Sequence, residues 1–231
     1  MAETSSTTPA PSVPSTKAAR DIALQSKRLA NDIASAERTI QSVLAKPELL
    51  LSLALVGYNE KQLNYGLSLF SSAQEKFSAR QQALGAATAA KTARDTRLEA
   101  AKEEFTAFRE TVQANYTKAD RANLGASGVV PTDIEKFRTN ARSAYAAALQ
   151  EPFLSVLATN GFTQERLNTA IRALDELAAA DSACKNALGA AKATAEARDT
   201  AGVALAAWMA KFRKLSHTAL KNQPGLRGLI Q

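Results

Sequence analysis

From Thr16 onward, apolar side chains recur at spacings near three, four and seven residues: Ala18, Ile22, Leu29, Ile33, Ala36, Ile40, Val43 and Leu44. A helix of 3.6 residues per turn gathers such positions on one face. Pro47 closes this first helix, because its ring removes an amide that the helical ladder needs. Glu48 to Val56 is a short apolar elbow ending at Gly57, and Asn59 with Gln62 three residues later forms a helix-start capping pair. A seven-residue stripe follows, Leu63, Phe70, Phe77, Leu84, Leu98, Phe105 and Val112, interrupted only by Lys91 and free of proline until Pro131. The pattern predicts one unbroken helix to about Tyr116, roughly 85 Å long at 1.5 Å per residue.

The pattern then repeats. Sliding the chain by 104 residues without a gap lays Leu50 to Tyr116 on Leu154 to Leu220, with 21 identities in 67 positions. Gly57 falls on Gly161, the run Ala83-Leu84-Gly85-Ala86-Ala87 on Ala187-Leu188-Gly189-Ala190-Ala191, Ala93-Arg94-Asp95-Thr96 on Ala197-Arg198-Asp199-Thr200, and Phe108-Arg109 on Phe212-Arg213. Upstream, Thr132 to Leu149 occupies the place of the first helix, with Asp133 as N-cap. Each unit is thus a shorter helix, a Pro/Gly elbow and a long helix. Two copies at this period predict a bundle with an approximate two-fold axis, since a solenoid wants three or more shorter repeats.

The expected architecture is all-α: an elongated, four-helix-bundle-like fold from a tandem duplication, closed by a coiled-coil-like seam. Its parts are a disordered Ser/Thr/Pro/Ala tail at 1–15, helical unit 1 at 16–117, a linker at 118–131, helical unit 2 at 132–222 and a C-terminal tail at 223–231, with both units packed as one domain. In the second copy the seam is Leu167, Leu174, Leu188 and Met209, joined by Leu177, Cys184, Ala191, Leu205 and Phe212. Its middle is Ala and Gly, which predicts a close helix crossing at Gly85 and Gly189 and no bend there. Arg94 and Arg198 stand where apolar residues are expected, each followed by an aspartate. If the long helices cross antiparallel, Arg94 with Asp199 and Arg198 with Asp95 would be reciprocal ion pairs that fix register.

Composition narrows the chemistry. Aromatic residues are only 6% and alanine dominates, the profile of helix interiors. One cysteine excludes an internal disulfide, and one histidine cannot supply the paired Glu-x-x-His ligands of di-iron bundles, so no metal and no cofactor are expected. There is no secretory leader and no apolar run of the roughly 20 residues that span a bilayer, which predicts a cytoplasmic protein without a transmembrane segment. Cys184 reads as a small core hydrophobe, and His217 as a cation at a helix C-terminus.

The net charge of +7 is unevenly placed: after Asp199 come Lys211, Arg213, Lys214, Lys221 and Arg227 and no acidic residue. With Trp208 and Phe212 interleaved, these five cations are the candidate contact for an anion or a partner, while Phe212, matching Phe108, is expected in the core. No phosphate loop, nucleophile elbow or metal-binding helix motif is present. The reading is therefore a non-enzymatic structural or protein-interaction scaffold, with a protein partner or self-association. Its alternative is a nucleic-acid-associated protein that grips phosphate backbone non-specifically through the basic end. The elbows, too short to span a bilayer, serve as bundle caps.

Overall fold

Helix starts are set by short polar side chains that satisfy amides the helix itself leaves open. Asn59 Oδ1 accepts from the Gln62 amide at 3.1 Å, Asp133 Oδ1 from Lys136 at 2.9 Å and Thr163 Oγ1 from Arg166 at 3.3 Å. In the computed structural model, residue 31 and residues 33–227 are described. The tail expected at 1–15, the start of the first helix and residues 228–231 lie outside them.

The helices are α1 (33–44), α2 (Pro47–Ala54), α3 (Glu60–Asn115), α4 (Lys118–Asn123), α5 (Ile134–Ala148), α6 (Phe153–Thr159), α7 (Gln164–Ala219) and α8 (Pro224–Arg227). The protein is all-α, with no strand among the described residues. Pro47 both follows α1 and opens α2, where its fixed φ suits the first turn. Gly57 and Gly161, at φ +88° and +85°, end the two elbows in the left-handed region. Each lets the next residue fold back, Tyr58 N donating to Leu53 O and Phe162 N to Leu157 O.

The stretch 118–131, expected as a linker, is a packed element. It holds α4, capped by Thr117, and a glycine-closed turn at Gly125, and it buries Leu124 and Ala126. Likewise the expected tail from 223 begins with α8.

The chain divides into two compact units. The first takes the described residues up to Ala79 and those from Ala195; the second is Arg80–Thr194. These boundaries run across the division expected along the sequence, because burial groups residues by contact and not by copy. In the first unit, Ile33, Ile40 and Val43 of α1 and Leu49 and Leu53 of α2 are buried with Leu63 and Phe70 of α3 and Leu205, Met209 and Phe212 of α7. Tyr58 meets Phe212 edge-on at 5.0 Å. In the second, Phe105, Phe108 and Val112 of α3 are buried with Phe137, Ala141 and Tyr145 of α5, Leu157 of α6 and Leu167, Leu174 and Leu177 of α7. Here Phe162 meets Phe108 at 5.6 Å, again edge-on. Within this unit α3 and α7 run antiparallel: Arg80 Nη1 donates to Ala191 O at 2.6 Å near one end, and Arg166 Nε to Glu104 Oε1 at 2.7 Å toward the other.

The seam is corrected in the middle. Both long helices continue without a break through Gly85 and Gly189, but neither glycine is a point of close approach: a Cβ at either position would meet nothing within 4 Å. Leu84 and Leu188 are 40% and 51% exposed, while Ala87 and Ala191 are buried instead. A heptad count tracks spacing alone, and the side chain that is covered depends on the neighbour. A close approach does occur at Gly66, where a Cβ would lie 2.8 Å from Trp208 Cζ3.

Candidate functional site

The basic end expected to meet an anion is built on α7. Phe212, Ser216 and Leu220 turn toward the core of the first unit, which leaves Lys211, Arg213, Lys214 and Lys221 exposed on the other side. Arg213 Nη2 lies 3.5 Å from Ser35 Oγ, a weak contact. Arg227 is partly buried, with its guanidinium against the His217 ring. The aromatics are not offered with the cations. Phe212 is fully buried, and the half-buried Trp208 stacks on it at 5.2 Å and packs edge-on to Tyr58 at 5.6 Å. What remains is a face of charge without a stacking platform.

The two arginines of the seam each engage the acid that follows. Arg94 Nε and Nη2 donate to Asp95 Oδ1 at 2.9 and 2.6 Å, and Arg198 Nε and Nη2 donate to Asp199 Oδ1 at 2.9 and 2.6 Å. The bond to Asp95 holds the Arg94 guanidinium above its ordinary pKa. The reciprocal pairs expected from the sequence would join residues of different units. The long arginine side chain reaches an adjacent carboxylate even though neighbours on a helix point apart. Cys184 is a fully buried free thiol.

Two concavities in the second unit have no motif in the sequence. One, of about 410 Å³, opens beside Arg109, with Lys118, Arg121, Glu110 and Ser127 among its lining. Arg109 is committed there: Nε donates to Ala126 O at 3.0 Å and Nη2 to Gly128 O, which fastens the 118–131 stretch to α3. The other, of about 170 Å³, lies among α3, α5 and α7 over Tyr145. Glu104, at its edge, is held by Arg166 through bonds of 2.7 and 3.0 Å, and the Arg166 guanidinium also lies 3.9 Å from the centre of the Phe162 ring. Burial pushes the Tyr145 phenol up, the Glu104 carboxylate adds to the shift, and Arg166 opposes it.

No family model, curated protein or solved structure matches the chain. Function is therefore argued from the site alone. Among the described residues, no group of His, Cys, Asp and Glu could hold a metal ion, and no helix is long and apolar enough to cross a membrane. The signal for the smaller cavity was present in the sequence, in the 104-residue offset: Glu104 corresponds to Trp208, and Ala101 to Leu205. The signal for the larger one was absent, because it depends on how the 118–131 stretch returns to Arg109.

Proposed function

We propose that the protein is a non-enzymatic structural or protein-interaction scaffold, made by doubling one helical module and offering the middle of its long helices to a protein partner or to another copy of itself. The observation that carries this reading is the exposure of Leu84 and Leu188, at 40% and 51%, in the interiors of two uninterrupted 56-residue helices. Large apolar side chains exposed at corresponding positions of two stiff helices suit a contact surface. The doubling is supported by helix bounds that coincide under the offset, Glu60–Asn115 with Gln164–Ala219, and by the matching aromatic pairs Tyr58–Phe212 and Phe162–Phe108.

The test is sedimentation of the purified chain, and capture of partners from its native host, for wild type and for Leu84→Glu with Leu188→Glu. Both residues are exposed, so helical content should hold while association is lost. Association that survives both changes, or a wild-type chain that associates with nothing, contradicts the reading.

A second reading, attachment to a nucleic-acid phosphate backbone, is favoured by the four exposed cations Lys211, Arg213, Lys214 and Lys221. Non-specific backbone binding weakens steeply as salt rises. Binding to duplex DNA at low salt that is lost when these four become alanine supports it; no binding at low salt ends it.

A further inference from the structure

The concavity of about 170 Å³ in the second unit opens to solvent between α3, α5 and α7. Its floor is the buried Ala101, Tyr145, Ala170 and Leu174, and Arg97, Glu104 and Glu176 stand at its rim. Under the 104-residue offset, small or polar residues stand here where the first unit carries large ones: Ala101 for Leu205, Ala173 for Leu69, Glu104 for Trp208. In the first unit the Trp208 indole packs against Gly66, the position that corresponds to Ala170. In the second unit Glu104 does not replace that ring, because Arg166 takes both of its carboxylate oxygens. The place filled by an indole in one unit is open in the other.

Tyr145 supplies an independent observation. It is 1% exposed, with its ring held edge-on by Phe105 at 5.8 Å and Phe108 at 5.1 Å. Its hydroxyl makes no hydrogen bond among the described residues. Its oxygen is not sealed off but meets solvent at the concavity, so a guest there would take the place of water as its hydrogen-bond partner. An apolar floor with a few polar groups around it is the make-up of small-molecule sites, and about 170 Å³ is room for one small ring. Arg166 neutralises Glu104, and the remaining rim charges, Arg97 and Glu176, are of opposite sign, so the site suits an uncharged guest.

We propose that this cavity binds a small, neutral, planar aromatic molecule of indole size, whose single N–H or O–H group bonds the Tyr145 hydroxyl. The proposal is independent of the scaffold reading.

The test is an NMR titration of the full chain with indole, followed through backbone amide shifts. The expected result is a saturable response centred on Ala101, Tyr145 and Leu174. Ala101→Leu with Ala173→Leu, which installs the side chains of the first unit, should abolish it. Tyr145→Phe keeps the ring and removes the hydroxyl, so the affinity for indole should fall about fivefold to tenfold while that for naphthalene, which has no polar group, stays unchanged. The proposal is overturned by a wild-type chain that gives no saturable shift at millimolar indole, by shifts centred elsewhere, or by a filled variant that binds as wild type does. Equal weakening of indole and naphthalene by Tyr145→Phe overturns the assigned hydrogen bond. Should the filled variant not fold, the Tyr145→Phe comparison decides alone.

Discussion

Gly66, inside α3, is a glycine whose space a neighbour has claimed. Its missing Cβ is the space in which the Trp208 ring lies, whereas Gly85 and Gly189 face open surroundings. Gly66→Ala should therefore destabilise the protein by about 1–3 kcal/mol, since the indole cannot retreat without disturbing Phe212 and Tyr58. Gly85→Ala and Gly189→Ala should each stabilise it by up to about 1 kcal/mol, the gain in helix propensity with nothing to clash. Urea unfolding midpoints measure all three, and equal signs would refute the distinction. The sequence pointed to the wrong pair. Gly85 and Gly189 attract notice because they repeat, while Gly66 corresponds to Ala170 and its role depends on an indole brought in from α7.

At the scale of elements, sequence reasoning went further, because helix starts are local. Asn59, Asp133 and the proline and glycine elbows are read from a few neighbouring residues, and the structure places α3 and α5 behind the two caps named. Asp133→Ala should lower stability by about 1 kcal/mol and speed amide exchange in the first turn of α5. Unchanged exchange there would mean that tertiary packing alone holds the helix start. The 118–131 stretch reads as a linker because glycine and proline signal turns without saying whether a turn is packed. Burial of Leu124 and the bonds from Arg109 decide that, and both depend on contacts distant in sequence. Leu84 and Leu188 were placed in the seam for a related reason. A stripe of correct period fixes a direction around the helix, but only a partner's side chains determine whether that direction is covered.

For the whole molecule, the 104-residue sequence repeat was visible and the grouping of contacts was not. The 104-residue offset relates Phe108 to Phe212, yet each ring is buried with residues from both halves of the chain: Phe212 with α1, α2 and the first part of α3, Phe108 with α5, α6 and the first part of α7. Hydrogen exchange of the full chain carrying Phe212→Leu tests this directly. The account predicts faster exchange in α2, in α3 up to Ala79 and in the last turns of α7, with α5 and α6 unchanged; Phe108→Leu should give the converse. If Phe212→Leu instead loosens α5 and α6 and spares α2, contacts follow the copies and the two-unit account is wrong.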